Sequence, residues 1–190
     1  MTYQSVNPHE GKILNTFEEL TNSQLETAVE TATTCFATWR HTTFAERVTV
    51  VARAAAIMHV RVDECARPVT LEMGKLFDKV RGEVVLSADI IDYYAKNGER
   101  FLSPQRLKTN PCEAEAESTP LGVLLGVEPW NFPYYQLARF AAPNLMAGNV
   151  EINHVIDRLE LGEVTARVVL ESETWTAKSM STSPFVATAA

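Results

Sequence analysis

Residues 120–150, PLGVLLGVEPWNFPYYQLARFAAPNLMAGNV, constrain the fold of this chain more than any other stretch. Pro120 and Gly122 introduce LGVLLGV, a short apolar run that is typical of a strand buried on both faces of a parallel sheet. The segment EPWNFP predicts a tight loop, and the residues after it predict a helix that ends at Gly148 and Asn149. A strand, a loop and a helix form one α/β unit, and ligands bind to such sheets beyond the carboxyl ends of their strands.

Three amphipathic helices are predicted upstream of this unit. Two begin with capping boxes, one formed by Thr21 and Gln24 and the other by Thr43 and Glu46. Pro68 is expected to end or kink the second helix, and Gly74 separates it from the third. Apolar residues at helical spacing predict one buried stripe on each helix. The stripes are Leu25, Val29, Ala32, Phe36 and Trp39; Phe44, Val48, Val51, Ala55, Met58, Val62 and Cys65; and Val80, Val84, Ser87, Ile91 and Tyr94.

The segment 101–119, FLSPQRLKTNPCEAEAEST, has a different pattern. Its two prolines exclude a helix interior, and small residues alternate with glutamates from Cys112 to Glu117. This pattern predicts an exposed, extended segment or a hairpin, which we call the arm. KILNTF near the amino terminus also fits a short strand.

Composition restricts the class of protein and of partner. With 190 residues, 46% of them apolar and 22% charged, the chain is long enough for one sizeable domain with its own core, or for one domain plus an appendage. The net charge of -7 argues against nucleic acid, since phosphate binding needs a basic face. The absence of an apolar run near the length of a membrane span, and of an export signal, predicts a soluble, cytoplasmic protein without membrane contact. Cys35, Cys65 and Cys112 lack the spacing of metal or redox pairs, so no metal site is predicted.

Residues 120–150 closely resemble the NAD(P)-dependent aldehyde dehydrogenases, and in detail their bacterial succinate-semialdehyde dehydrogenase branch. The pentapeptide Pro-Trp-Asn-Phe-Pro with a downstream Gly-Asn carries the resemblance, and MTYQSVNP, TCFATWRHTTFAERV and TLEMGK look like the same branch. The resemblance covers about residues 1–150. It implies an α/β fold, namely an incomplete aldehyde-dehydrogenase-type Rossmann domain that binds the cofactor, with N-terminal helices and an extended oligomerisation-type arm at about 101–119. It also implies NAD or NADP as cofactor and a small aldehyde, here succinate semialdehyde, as substrate.

The resemblance also assigns a catalytic role to Asn131. In this family a cysteine thiolate attacks the aldehyde, and the resulting oxyanion is held by fixed donors before hydride transfer to the nicotinamide. Asn131 matches the asparagine whose side-chain amide is one such donor. Without the resemblance, it is a turn residue or a helix cap. The positions that match the nicotinamide end of the cofactor cleft are Val127, Glu128, Pro129 and Trp130.

Three further residues match the substrate side of the family's site. Phe132 and Tyr135 correspond to walls of the substrate tunnel. Arg139 lies four residues after Tyr135, so a helix puts both on one face. In the succinate-semialdehyde branch, an arginine at this distance from the asparagine pairs with the distal carboxylate of the substrate, for which a planar guanidinium is suited. Taken alone, Arg139 is a solvated or salt-bridged side chain, and the aromatics Trp130 and Phe132 are core residues.

The resemblance stops after Val150. In the family a buried apolar strand follows and ends in a lysine that contacts the cofactor, whereas here the sequence is VEINHV and His154 takes the lysine's place. Glu151 and Asn153 stand where branched apolar residues are expected. The sequence has no glycine-rich cofactor loop, no glutamate in a Glu-Leu-Gly-Gly setting and no Gly-Gln-x-Cys. Because the catalytic cysteine and glutamate are absent, this chain alone is predicted to be inactive.

Residues 151–171 predict an appended helix and strand, and residues 172–190 a loose, disordered tail. Ile152, Val155, Ile156 and Leu159 recur at helical spacing before Gly162, and EVTARVVLE alternates like a strand. This stretch is similar to the C-terminus of the medium-chain, zinc-type alcohol dehydrogenases. It contains no zinc-ligand cluster.

Three hypotheses about function follow. The first is a truncated or chimeric aldehyde dehydrogenase, inactive by itself, whose parent oxidises succinate semialdehyde to succinate with NAD(P). The alternative is a non-catalytic interaction module that pairs with a full-length aldehyde dehydrogenase subunit through the arm, as part of a homo- or hetero-oligomer. A third is a small enzyme with His154 as a base near Asn131, although no second catalytic group is identifiable.

Overall fold

The computed structural model describes residues 3–18, 20–110, 112–155 and 186–188. The predicted α/β class is confirmed. The helices are α1 (Asn22–Trp39), α2 (Phe44–Val60), α3 (Val62–Met73), α4 (Phe77–Leu102) and α5 (Pro133–Met146). The strands are β1 (Tyr3–Val6), β2 (Ile13–Phe17), β3 (Gln105–Leu107), β4 (Ala114–Ala116), β5 (Val123–Glu128), β6 (Val150–Val155) and β7 (Val186–Thr188).

Both predicted capping boxes are confirmed. The Thr21 hydroxyl accepts the Gln24 N–H at 3.2 Å, and the Gln24 side chain accepts the Thr21 N–H at 2.9 Å. The same pair of bonds joins Thr43 and Glu46, at 3.3 and 2.7 Å. Each box therefore satisfies two N–H groups that a helix terminus leaves without a partner in the helix.

The break between α2 and α3 lies at Arg61, not at Pro68. Arg61 has φ of -106° and ψ of 30°, which ends α2. Pro68 lies inside α3, which continues to Met73, so the prediction that it ends the helix is wrong. One helical hydrogen bond is lost there, but burial of the neighbouring Ala66 and Val69 offsets that loss. The predicted end at Gly74 is confirmed, and its φ of 68° suits glycine.

Helix α4 lies at the centre of the helical layer and packs against α2, α3 and α5. The main core cluster joins these four helices through Met58, Cys65, Ala66, Val69, Val80, Val84, Ala88 and Tyr134. A second cluster packs α1 against the sheet through Ala32, Trp39 and Val150. The stripe of α1 is buried only in its second half, because Leu25 and Val29 are 42% and 45% exposed.

The predicted arm is a hairpin in which β3 pairs antiparallel with β4. Residues 101 and 102 are the last turn of α4, so the arm begins two residues later than the sequence pattern indicated. Arg106 and Glu115 face each other across the hairpin at 3.3 Å. The predicted strand in KILNTF is β2, which pairs antiparallel with β1.

The main sheet has the order β5-β6-β7 among the described residues. Strand β5 runs parallel to β6, with Val123 opposite Val150 and Val127 opposite His154. The expectation that β5 is buried on both faces is wrong, because Leu125 and Val127 are 65% and 57% exposed. In the described sheet β5 is an edge strand, and one face of its carboxyl half is uncovered.

The predictions for the tail need two corrections. Residues 150–155 form β6, so the helix predicted from Ile152 and Val155 does not begin there. Pairing with β5 provides hydrogen-bond partners for the backbone along residues 150–155. This pairing favours a strand more than the helical spacing of the apolar residues favours a helix. Residues 186–188 pair antiparallel with β6, so the predicted loose tail is wrong for them. The other predictions for residues 156–185 and for 189 and 190 lie outside the described residues.

Candidate active site

The turn formed by residues 129–132 joins β5 to α5, and we call it the Asn131 turn. Pro133 is the first residue of α5, where its fixed φ suits the helix and its missing N–H costs nothing. Phe132 occupies the N-cap position, with φ of -143° and ψ of 65°, but makes no side-chain capping hydrogen bond. Asn131 is therefore a turn residue and not the helix cap, and it is exposed. As predicted, it lies at the carboxyl end of a strand.

Asn149 connects the end of α5 to the start of β5. Its side-chain oxygen accepts the N–H groups of Leu121 and Gly122 at 2.6 and 3.1 Å, and Asn149 is only 4% exposed. Gly148 just before it has φ of 86°, and a Cβ atom there would lie 2.8 Å from the guanidinium of Arg47. The Gly-Asn of the motif thus fixes both ends of the strand-turn-helix unit.

Two side chains that the sequence did not connect with this unit, Trp39 and Arg47, cap the carboxyl end of α5. The indole of Trp39 donates to the carbonyl oxygen of Leu145 at 3.1 Å. Arg47 donates from Nη1 to the carbonyl oxygen of Met146 at 3.0 Å, and it is only 7% exposed. Cationic donors at a helix carboxyl end stabilise the partial negative charge of the last carbonyls.

A second unanticipated group lies at the amino end of α5. The Glu83 side chain, 2% exposed, accepts the N–H of Tyr134 at 3.2 Å. Its other oxygen lies 2.5 Å from Nζ of Lys75. The Lys75 ammonium in turn lies 3.6 Å from the centre of the Phe132 ring. No sequence motif links these residues, since they come from three separate parts of the chain.

The three residues predicted for the substrate side form one continuous surface. Arg139 donates from Nη1 to the Tyr135 hydroxyl at 3.2 Å, which confirms that the two side chains share a face of α5. The guanidinium carbon lies 5.3 Å from the centre of the Tyr135 ring. The Phe132 ring meets Tyr135 edge to face, with ring centres 6.3 Å apart. Phe132 is 45% exposed, so it is not a core aromatic.

Tyr135 and Arg139 line a groove of about 300 Å³ between α4 and α5. The other lining residues are Asp89, Ile90, Tyr93 and Tyr94. Asp89 lies 3.2 Å from Nε2 of His59 on α2. Within the parts of the chain that the structure describes, Arg139 makes no ion pair, so its guanidinium is able to bind an anion in the groove. The groove thus combines an apolar wall with one exposed cation, Arg139, and one exposed carboxylate, Asp89, which faces His59.

The residues matched to the cofactor lie beside an uncovered apolar surface. Val127 and the neighbouring Leu125 are exposed on one face of β5, and Trp130 is 43% exposed at the start of the turn. Glu128 is half-buried, and burial raises the pKa of its carboxyl group. Leu125, Val127 and Trp130 thus form an exposed, largely apolar surface at the carboxyl end of β5, and the sequence has no glycine-rich loop of the kind that holds dinucleotide phosphates.

The three cysteines lie in α1, in α3 and in the arm. Cys35 is half-buried, Cys65 is buried and Cys112 is exposed. Burial raises the pKa of the Cys65 thiol, which is the opposite of what a nucleophilic thiolate needs. In the described residues no cluster of histidine, cysteine and acidic side chains is able to hold a metal ion. None of the described helices is both long and apolar enough to cross a membrane.

Comparison with known proteins identifies the family. The model of the aldehyde dehydrogenase family matches residues 1–165. The succinate-semialdehyde dehydrogenase [NADP(+)] of Deinococcus radiodurans is 44% identical over 147 residues, which is 77% of this chain and 31% of that protein. The corresponding protein 1 of Mycobacterium tuberculosis is 38% identical over 153 residues, 79% of this chain and 34% of that one.

A solved structure extends the similarity to the fold. The succinic semialdehyde dehydrogenase of Streptococcus pyogenes, in complex with NADP+, is 37% identical and superposes with a TM-score of 0.85. The match covers 90% of this chain and 38% of that one. The chain therefore spans about a third of the length of its relatives. Its sequence, its strand-turn-helix unit and its fold agree in showing that it belongs to the aldehyde dehydrogenase family.

Proposed function

We propose that this chain supplies the oxyanion donor and the substrate-carboxylate site of an NADP-dependent succinate-semialdehyde dehydrogenase. The relatives named above carry that activity in their names, and the family model matches residues 1–165, which include the helices and the Asn131 turn. The observation that carries the proposal is the arrangement on α5. An exposed amide precedes the helix, and an exposed guanidinium lies on the helix and faces the neighbouring groove.

Asn131 is proposed to hold the oxyanion that forms when a thiolate attacks the aldehyde. An amide N–H aimed at the developing charge stabilises the transition state more than the substrate. Pro129 and Pro133 restrict the backbone on both sides of Trp130, Asn131 and Phe132. This restriction lowers the cost of ordering the amide before the reaction.

Arg139 is proposed to bind the carboxylate at the far end of the substrate. Its bond to the Tyr135 hydroxyl uses one guanidinium N–H and leaves the others for a carboxylate. The tyrosines that line the groove offer ring surface beside the guanidinium, against which the aliphatic part of the substrate would pack. An aldehyde without a distal carboxylate would gain nothing from Arg139, so this residue would select for the acidic substrate.

Bound NADP would supply the hydride acceptor for the oxidation. The residues of this chain proposed to contact its nicotinamide end are Val127, Glu128, Pro129 and Trp130. NADP is favoured over NAD because the relatives are named for NADP(+). The exposed face of Leu125 and Val127 offers an apolar surface that excludes water from one side of the ring.

The chain alone is proposed to be inactive because it has no group suited to form the covalent intermediate. Cys65 is buried with a raised pKa, Cys35 packs between α1 and the sheet, and Cys112 lies in the arm. An oxyanion donor without a thiolate binds an aldehyde weakly but does not activate it.

A graft tests the two residue roles. Residues 1–150 of this chain would replace the matching segment of the D. radiodurans relative, and NADPH formation would be measured with succinate semialdehyde and with butanal. We expect Asn131→Ala to lower kcat for both aldehydes by about 100- to 1000-fold. Arg139→Gln should raise KM for succinate semialdehyde by about 10- to 100-fold, with little change for butanal, because only the acid loses an ion pair.

Arg100→Gln is the matched control for Arg139, because Arg100 is an exposed arginine at the end of α4 outside the groove. It should leave both KM values unchanged. Equal effects of Arg139→Gln on the two aldehydes would contradict the carboxylate-binding role. An Asn131→Ala graft that keeps its kcat would contradict the oxyanion role.

A second candidate function is that of a non-catalytic interaction module. The observation that favours it is the exposed hairpin of β3 and β4, whose residues are all exposed except the half-buried Ala114. We propose under this alternative that the arm pairs with a full-length subunit. Size-exclusion chromatography and a pull-down with the D. radiodurans relative test it. Co-elution that is lost when residues 103–119 are replaced by a glycine-serine linker supports it, and separate elution contradicts it.

A further inference from the structure

The buried carboxylate of Glu83 accepts a hydrogen bond at the amino end of α5, which is the role that an N-cap side chain normally has. The first N–H groups of a helix need an acceptor, and the N-cap residue Phe132 provides none from its side chain. Since Pro133 has no N–H, the first helical donor is the N–H of Tyr134, and Glu83 accepts it. A residue 51 positions earlier in the chain therefore provides the capping acceptor of α5.

Lys75 makes the burial of this carboxylate tolerable. A buried charge is costly unless an opposite charge and hydrogen bonds compensate it. Glu83 has both, from the Lys75 ammonium and the Tyr134 N–H, and it also lies at the positive end of the α5 dipole. Ser87 bonds to the main-chain oxygen of Glu83 at 2.7 Å and leaves the carboxylate to these two partners.

The same lysine also contacts the Asn131 turn directly. Its ammonium lies over the face of the Phe132 ring at 3.6 Å, within the range of a cation–π interaction. Lys75 is only 20% exposed, so water screens this contact weakly. Phe132 and Tyr134 are thus both fixed from α4 and the loop before it, and Asn131 immediately precedes them in the chain.

We infer that Lys75 and Glu83 are positioning residues that fix the Asn131 turn and so orient its side-chain amide. Both act through their contacts with Phe132 and Tyr134. That an ordered Asn131 amide serves catalysis rests on the proposed function, whereas the claim that Lys75 and Glu83 hold the Asn131 turn in place does not. The rigidity of the turn is measured on the 190-residue chain without aldehyde or cofactor. Failure of the positioning role is therefore distinguishable from failure of the proposed function.

Amide hydrogen exchange, followed by mass spectrometry on the full chain, tests the inference. Lys75→Met removes the charge at similar length, and we expect it to speed exchange in residues 130–135 by about tenfold, while exchange in α2 stays unchanged. Lys75→Arg keeps a cation over Phe132 and beside Glu83, and should restore slow exchange. Glu83→Gln keeps an oxygen for the Tyr134 N–H but loses the ion pair, so it should speed exchange less than Glu83→Ala does.

The matched control is Lys96→Met on α4, the helix that carries Glu83. Lys96 also forms an ion pair with a carboxylate, that of Asp92, but the lysine is 70% exposed. It should not change exchange in residues 130–135. The inference is overturned if Lys75→Met leaves those residues as slow as before, or if it speeds exchange equally throughout the chain. Lys75 lies outside the helices, so Lys75→Met removes no contact within a helix. The Lys75→Met measurement therefore tests the inference even if Glu83→Ala does not fold.

Discussion

Cys65 and Tyr134 are two ionisable residues buried together in the core between α3 and α5. Cys65 is fully buried and Tyr134 is 2% exposed. Burial raises the pKa of the Cys65 thiol above its ordinary value of 9.0. Burial, together with the neighbouring Cys65 and Glu83, also raises the pKa of the Tyr134 hydroxyl well above its ordinary value of 10.0. Both groups are therefore held in their neutral forms in the folded chain.

These shifts predict that the chain loses stability at alkaline pH. Both groups bind their protons more tightly in the folded chain than in the unfolded chain. Their contribution to the free energy of unfolding is therefore complete below pH 9 and is lost as the pH rises through the raised pKa values of the folded chain. Each unit of difference between the pKa of a group in the folded chain and in the unfolded chain corresponds to about 1.4 kcal/mol of unfolding free energy. Chemical denaturation at pH 8 and at higher pH should show the loss, and Tyr134→Phe should reduce it. Removing the exposed thiol with Cys112→Ala should not change the slope, and a Tyr134→Phe slope equal to that of the unmodified chain would contradict the account.

At the scale of an element, the strand-turn-helix unit depends on Asn149. Asn149→Ala would leave the part-buried N–H groups of Leu121 and Gly122 without their acceptor. We expect a loss of about 1 to 2 kcal/mol in unfolding free energy, since two hydrogen bonds are lost but water can reach the part-buried N–H groups. Asn149→Asp keeps an acceptor oxygen and should cost less, whereas Asn144→Ala, which removes only a helical side-chain bond to Phe140, should cost about 1 kcal/mol or less. Equal stability of Asn149→Ala and the unmodified chain would contradict this role.

Local patterns predicted most of the helices and the α5 unit, and contacts between distant segments account for most of what was missed. The capping boxes at Thr21 and Thr43 were predictable because every group lies within four residues. So was the shared face of Tyr135 and Arg139, because it follows from helical spacing. The cap on α5 was not predictable from spacing, since Glu83 reaches it only through the packing of α4.

Strand β6 shows the same limit at the scale of an element. Its sequence, VEINHV, contains polar residues and a helical periodicity that continues beyond it, and both obscure a strand. Its pairing with β5 is a long-range contact and provides backbone partners that the local pattern does not reveal. The break at Arg61 was missed for a related reason, because burial in the core allowed Pro68 to remain inside a helix.

At the scale of the whole molecule, α4 joins the two halves of the candidate site. One part of it provides Glu83 behind the Asn131 turn, and a later part provides Asp89, Ile90 and Tyr93 for the groove beside Arg139. The sheet on the other side of α5 leaves Leu125 and Val127 exposed next to the same turn. The described chain thus brings together an amide, a guanidinium and an apolar surface, while the nucleophile and the base have no counterpart in its sequence.

The most direct test of this account is NADPH formation from succinate semialdehyde and NADP+, measured in parallel on the unmodified graft of residues 1–150 and on the 190-residue chain alone. The account predicts that the graft forms NADPH, because Asn131 and Arg139 then act with the relative's thiolate, and that the chain alone forms none. A graft that folds and binds NADP+ like the relative but forms no NADPH would contradict it, as would NADPH formation by the chain alone.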